Sequence, residues 1–83
     1  MKARVLVRPK RGIADPQGTA VGQALRTLGF TDVRGVRIGK CIEIELPDGD
    51  PDAVLATLAR MSEQLLANTN IEQYTCSILD EDA

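Results

Sequence analysis

The chain contains the same short unit twice, and this repeat limits the possible folds more than any other feature of the sequence. Asp15-Pro16 and, 35 residues later, Asp50-Pro51 each open an amphipathic helical stretch. Asp is a favoured N-cap residue, and Pro suits the first helical position because its missing N–H would have no partner there. A strand-like run precedes and follows each helix. The order is therefore β-α-β-β-α-β, the split βαβ or ferredoxin-like unit.

Four segments show the alternation of apolar and polar residues that is typical of half-buried strands. They are residues 2–8, 33–40, 41–46 and 71–79. The helices are predicted to end at Gly29 and Asn68, because both residue types adopt a left-handed backbone readily. We therefore expect an α+β, ferredoxin-like βαββαβ fold, with a four-stranded antiparallel sheet and both helices on one face. The first and third strands would be central neighbours, with Arg4 and Arg8 facing Glu43 and Glu45.

The length of 83 residues suits a single domain, in which residues 80–83 form a frayed acidic tail. The chain has one Phe, one Tyr and no Trp, so its core must be built from smaller aliphatic side chains. A small domain with such a core is stabilised when a partner binds its folded state. We therefore expect a homodimer or a homotetramer.

Charge is distributed unevenly, with a net +7 through residue 40 and −9 after it. A basic half can indicate nucleic-acid binding, but we expect the two halves to interleave in one sheet and neutralise each other. Only Phe30 and Tyr74 could stack on bases, so nucleic acid is not an expected partner. No apolar run is long enough to span a membrane. Cys41 and Cys76 with no His exclude a four-ligand zinc site and predict free thiols in a reduced, cytoplasmic protein.

Catalysis by this chain alone is not expected, because His, the commonest general base, is absent. Ser62 and Ser77 lie within a predicted helix and a predicted strand with no pattern of catalytic partners around them, and Glu43 and Glu45 are typical of solvated strand carboxylates. The helix start at residues 15–19 could hold an anion. The carboxylate of Asp15 and the proline after it favour a structural N-cap instead.

Residues 12–18, Gly-Ile-Ala-Asp-Pro-Gln-Gly, resemble the Gly-(Val/Ile)-x-Asp-Pro-Gln-Gly signature of the PurS family. This family is the small subunit of phosphoribosylformylglycinamidine (FGAM) synthase in purine biosynthesis. Further matches lie in register at residues 24–30, 36–40, 65–68 and 71–74. One position departs from the pattern, since Thr69 stands where the family often has Pro after Asn68. We expect a less rigid turn there and an unchanged role.

The resemblance implies a non-catalytic subunit that bridges a glutaminase subunit and a large ATP-dependent synthetase subunit. The glutaminase would release ammonia, and the synthetase would activate the amide oxygen of formylglycinamide ribonucleotide (FGAR) with ATP. The small subunit would assist ammonia transfer, so that FGAR, glutamine and ATP yield FGAM and glutamate. ATP and Mg²⁺ would be used by the complex, and no cofactor would be bound by this chain alone.

Two partner-contact surfaces are predicted at the matched motifs. One comprises Arg8, Lys10, Arg11, Asp15, Gln17 and Gly18, and the other comprises Gly39, Lys40, Asn68 and Glu72. A Gly18→Leu chain is expected to fold but to lose capture by the synthetase. Two other functions stay open: a ferredoxin-like small-molecule-sensing regulatory module, and RNA binding through an open sheet face.

Overall fold

The chain forms three strands, two α-helices and one π-helical turn in a computed structural model that describes residues 1–79. The elements are β1 (Lys2–Pro9), α1 (Pro16–Thr27), β2 (Lys40–Glu45), α2 (Pro51–Met61), the π-helical turn (Ser62–Leu66) and β3 (Glu72–Leu79). The strands form one antiparallel sheet in the order β2-β1-β3. The α+β class predicted from the sequence is therefore confirmed, whereas the frayed tail predicted at 80–83 lies outside the described residues.

The core lies on one face of β1, between the sheet and α2. Ala3, Val5 and Val7 are fully buried, as their alternation predicts, and Leu58 of α2 packs against them with Ala67. Partly buried side chains surround this cluster, chiefly Ile42, Ile44, Leu46, Val54, Leu55, Met61, Leu66, Tyr74 and Cys76. Leu58 is thus the side chain through which α2 is held on the sheet.

The outer face of the sheet carries part of the predicted cross-strand charge pairing, because Arg8 lies beyond the β1–β2 register and is opposite Gln73 of β3. Arg4 lies opposite Glu43 in the β1–β2 register, with Nη2 3.5 Å from Oε1. This contact confirms that the strand at 41–46 is a neighbour of the first strand. Within residues 1–79, the other ion pair joins the Met1 amine to Asp48 at 3.0 Å. The expected neutralisation of the two halves is therefore only partial.

The strand predicted at residues 33–40 is not formed in the described chain, where only Lys40 joins β2. The reason is that polar groups of this segment bond elsewhere. The N–H of Ile38 donates to the Asp15 carboxylate at 2.7 Å, and Arg37 donates to the Lys10 carbonyl at 3.0 Å. Residues 33–39 therefore run past the start of α1 as an irregular segment, and the sheet formed by the described residues has three strands instead of four.

Helix α1 also departs from the predicted arrangement, because it does not lie on the sheet beside α2. Its contacts are with the segment 33–39, through Gly18 and Gly22, which are its buried residues. Its apolar stripe is largely uncovered, with Val21 40% and Leu28 74% exposed. Only α2 packs extensively against the sheet in the described part of the chain.

The two helices end differently, one as predicted and one not. After α1, Phe30 N–H donates to Leu25 O at 3.0 Å and Gly29 N–H to Arg26 O at 3.1 Å, with Gly29 at φ +107°. This is the predicted Schellman motif. The left-handed backbone predicted at Asn68 is wrong, because only glycines have positive φ among residues 1–79. The helix closes instead through the π-helical turn, whose last bond joins Ala67 N–H to Ser62 O at 3.0 Å.

Candidate functional site

Asp15 holds the start of α1 against the irregular segment 33–39. Its Oδ1 accepts the N–H of Gly18 at 3.0 Å, which is the predicted N-cap bond, and its Oδ2 accepts the N–H of Ile38 at 2.7 Å. These bonds favour the ionised carboxylate. The Ile38 bond, and next the Gly18 bond, therefore hold the pKa of Asp15 below its ordinary value of 3.8.

Two of the predicted contact residues are glycines at points where backbones approach closely. A Cβ on Gly18 would collide with the carbonyl oxygen of Val36, and a Cβ on Gly39 with that of Val7. Gly18 is buried, so it acts inside the chain and cannot itself be an exposed contact in this structure. The Leu of a Gly18→Leu chain would therefore displace the segment 33–39 as well as affect any partner.

The loop after β1 is joined to both neighbouring parts of the chain through Lys10. Its N–H donates to Ile71 O at 2.9 Å, and its carbonyl accepts from Arg37 Nη2 at 3.0 Å. The side chains of Lys10 and Arg11 remain exposed. These backbone bonds fix the loop while leaving its charges free for solvent or a partner.

Asn68 and Glu72 form a reciprocal pair at the turn before β3. The Glu72 carboxylate accepts the N–H of Asn68 at 2.8 Å, and the Asn68 carbonyl accepts the N–H of Glu72 at 2.7 Å. The Asn68 side chain also accepts the N–H of Asn70 at 3.2 Å. The departure from the family pattern, Thr69, lies inside this turn, which these bonds close without a proline.

The structure brings the two predicted surfaces together at one end of the sheet. Because β2 and β3 run antiparallel to β1, the end of β1 meets the start of both: Val7 is opposite Lys40 and Pro9 is opposite Glu72. The predicted residues therefore form one continuous region. Its exposed basic side chains are Arg8, Lys10, Arg11, Arg37 and Lys40.

Arg37 and Ile38 belong to this region but were not among the residues predicted for it. Arg37 donates to Lys10 O and Ile38 donates to Asp15. Both residues lie in the matched motif at 36–40, so the resemblance already contained a signal for them. Their roles depend on tertiary contacts that no local pattern shows.

The titratable and nucleophilic groups elsewhere do not assemble into a reactive site within residues 1–79. Cys41 and Cys76 are free thiols in the structure, and no group of three possible metal ligands occurs in this range. Ser62 is buried and donates to Leu58 O at 2.8 Å. The Tyr74 hydroxyl donates to Glu63 at 2.8 Å, and this bond raises the pKa of Tyr74. The end of the sheet where the predicted contact residues lie can bind a partner through its charge and its shape. Among the described residues there, we find no nucleophile paired with a base.

Comparison with known sequences identifies a family and relatives that agree with each other. A model of the PurS family, described as phosphoribosylformylglycinamidine (FGAM) synthase, matches residues 2–80. The FGAM synthase subunit PurS of Bacillus subtilis (strain 168) is 42% identical over 73 residues, which cover 88% of this chain and 86% of that protein. The subunit PurS of Mycobacterium leprae is 46% identical over 74 residues, covering 89% and 90%.

Solved structures agree with the sequence relatives. The B. subtilis PurS structure has a TM-score of 0.78 at 42% identity, covering 95% of this chain and 98% of that one. A chain in the structure of PurLQS from Thermotoga maritima has a TM-score of 0.84 at 26% identity, covering 94% and 95%. Sequence and fold thus agree over nearly the full length of the described chain. This chain belongs to the PurS family of FGAM synthase subunits.

Proposed function

We propose that this chain, as a PurS subunit of FGAM synthase in purine biosynthesis, bridges the glutaminase and ATP-dependent synthetase subunits and assists ammonia transfer between them. The observation that carries the proposal is the similarity to a chain of the PurLQS structure, at a TM-score of 0.84 over 94% of this chain. Two proteins whose backbones follow the same fold over nearly their whole length can occupy equivalent positions in equivalent complexes.

Catalysis is assigned to the partner subunits. The chain has no His, and several of its polar side chains are used to stabilise its own backbone. Asp15 and Asp50 cap helices, and Ser62 bonds a carbonyl within α2. ATP and Mg²⁺ would bind on the synthetase, where FGAR is converted to FGAM with ammonia from glutamine.

The partner-contact surface is the end of the sheet where the predicted residues converge. Arg8, Lys10, Arg11, Gln17 and Lys40 would touch partners directly, because their side chains are exposed. The others would shape the surface from within, as Asp15, Gly18, Gly39, Asn68 and Glu72 do through backbone bonds and close approaches. A subunit that works by shape needs such a rigid support behind its contact residues.

Self-association is a second part of the proposal, with a homodimer or a homotetramer as the working state. The stripe of α1 is uncovered, and Phe30 just after it is 59% exposed. Within residues 1–79, both outer strands, β2 and β3, have a free edge in the single chain. A second copy could cover the stripe or extend the sheet, and the fourth strand and ferredoxin-like layer predicted from the sequence would then belong to the assembled state.

The cytoplasm is the proposed location, as expected for a subunit that works with enzymes of purine biosynthesis. Among residues 1–79, neither helix has the length and apolar character needed to cross a membrane.

A reconstitution assay tests the bridging role. The purified glutaminase and synthetase subunits are mixed with and without this chain, and FGAM formation is measured first with glutamine and then with ammonium chloride. We expect glutamine-dependent synthesis to require the chain much more than ammonia-dependent synthesis does. Full glutamine-dependent activity without the chain would refute the proposal, and equal dependence of both reactions would remove the role in ammonia transfer.

A further inference from the structure

Five arginines surround two neighbouring cavities beside the start of α1. The first cavity, of about 290 Å³, lies between α1 and the segment 33–39, and the second, of about 340 Å³, lies beside the end of β1. Arg37 lines both, so they form one surface. We call this surface the arginine face, and it comprises Arg8, Arg11, Arg26, Arg34 and Arg37.

Two of these side chains are held in place by the backbone. Arg26 folds over Gly22 and donates from Nη1 to Val33 O at 3.1 Å, and Arg37 donates from Nη2 to Lys10 O at 3.0 Å. Each of these bonds uses one of the several N–H groups of a guanidinium, so others remain available. Side chains ordered before binding lose less conformational entropy when a ligand binds.

The arginine face forms no ion pair with a carboxylate in the described chain. Within residues 1–79, none of the five guanidinium groups has a carboxylate oxygen within 4.0 Å. Asp15 and Glu72 are close by in the fold, but both of their carboxylates already accept backbone N–H groups. Five clustered cations repel one another, and an anionic partner would relieve that repulsion.

The surroundings favour protein carboxylates over phosphates or nucleic acid as that partner. Phosphate sites at helix starts use free backbone N–H groups, but the Gly18 N–H is already occupied by the Asp15 carboxylate. The described residues that line the two cavities include no aromatic side chain for base stacking. The guanidinium fork matches a carboxylate bidentately, and an extended face of five forks suits a run of them.

We propose that the arginine face binds an Asp- and Glu-rich segment on a partner subunit of the synthase complex. This inference rests on the proposed bridging function and gives the contact its chemistry. Arg11 and Arg34 are the direct contacts that can be changed most cleanly, because both are exposed and neither is among the arginines bonded to the backbone.

Charge reversal tests the inference. Arg34→Glu and Arg11→Glu are compared with Arg60→Glu, which makes the same change in net charge at an exposed position of α2. Affinity for the mixed glutaminase and synthetase subunits is measured by biolayer interferometry from 0.05 to 0.5 M NaCl. We expect each of the first two changes to weaken binding about tenfold at low salt, with a smaller loss at high salt. Arg60→Glu should bind like the wild type, and circular dichroism should show all three folded.

The possible failures are distinguishable. If the wild type neither binds the partner subunits nor supports glutamine-dependent synthesis, the bridging function fails and the inference falls with it. If the wild type does both and the Arg11 and Arg34 variants bind equally well, only the inference is refuted. The inference is also refuted if these variants lose self-association but still bind the partner subunits. It is refuted as well if inorganic phosphate or a single-stranded RNA competes with the partner more strongly than NaCl of equal ionic strength.

Discussion

Asp15 joins two parts of the chain that are far apart in sequence. Its bond to Gly18 is local and caps α1, whereas its bond to Ile38 spans 23 positions and positions the segment 33–39. Proline at the next position reduces the number of free amides at the helix start. The Asp-Pro pair therefore sets the direction of α1 as well as its first residue.

The lowered pKa of Asp15 gives a pH-dependent test of this connection. A carboxylate with a folded-state pKa below its unfolded value stabilises the fold at a pH above the unfolded value, near 3.8 here. This stabilisation is lost as pH falls through the folded-state pKa. Asp15→Asn should therefore lower Tm at pH 7, and its difference from the wild type should narrow below about pH 4.

Thermal unfolding followed by circular dichroism from pH 7 to pH 3 measures this difference. Asp32→Asn, a change at an exposed carboxylate in the loop after α1, is the matched control and should follow the wild type at each pH. A Tm difference for Asp15→Asn that stays constant down to pH 3 would show that the charge of the carboxylate is not what holds the segment.

Gly18 and Gly35 offer a matched pair of substitutions. A methyl group at position 18 would meet the backbone oxygen of Val36, whereas nothing lies within 4 Å of the same group at position 35. Gly18→Ala should therefore lower the free energy of unfolding by about 1–3 kcal/mol, the usual cost of forcing extra volume into a packed site. Gly35→Ala should change it by about 0.5 kcal/mol at most. Urea denaturation compares them, and equal stabilities would contradict the close approach at Gly18.

Only the local interactions of this region could be predicted from the sequence. The remaining interactions depend on tertiary contacts. The Asp-Pro signature was enough to name Asp15 as an N-cap, because the cap bond reaches only three residues ahead. The bond to Ile38 could not be predicted, since it depends on the path of the intervening helix and loop. For the same reason Arg37 was not assigned to the site.

At the scale of elements, α1 shows what a hydrophobic pattern does and does not determine. Its periodicity correctly predicted a helix with one apolar stripe, but a stripe does not specify which surface will cover it. In the structure, its glycine side contacts the segment 33–39, and the stripe faces solvent. The strand predicted at 33–40 failed because polar groups of that segment bond to α1 and the β1 loop instead of to a strand.

A charge placed in the stripe tests whether a second copy covers it. Val21→Asp should shift the protein toward smaller oligomers, because burying a valine contributes about 1.5–3 kcal/mol and a buried unpaired charge opposes association. Gln23→Asp places the same charge on the other side of α1 and should leave the oligomer unchanged. Light scattering coupled to gel filtration measures the mass, and an unchanged mass for Val21→Asp would rule out the stripe as the interface.

At the scale of the whole molecule, a single copy is flat and extended. Its radius of gyration is 16.0 Å and its extents are 48 × 31 × 14 Å. A compact chain of this length would have a radius of gyration of about 12 Å. The fully buried apolar residues come mainly from β1, and one layer of helix covers one face of the sheet. Such a chain buries too little apolar surface to be very stable alone.

Stability should therefore depend on protein concentration. If folding is coupled to association, mass action favours the folded oligomer as concentration rises, by about 2.7 kcal/mol for a hundredfold increase. Tm should accordingly rise by several degrees as the protein concentration is raised from 1 to 100 µM. Circular dichroism and differential scanning fluorimetry together measure Tm over this range of concentrations. Val21→Asp should lose most of this dependence, because the same stripe would supply the interface. A wild-type Tm that does not change over this range, together with a monomeric mass, would mean that the three-stranded sheet and α2 are stable without a second copy. The exposed stripe of α1 would then be available to the glutaminase or synthetase subunit instead.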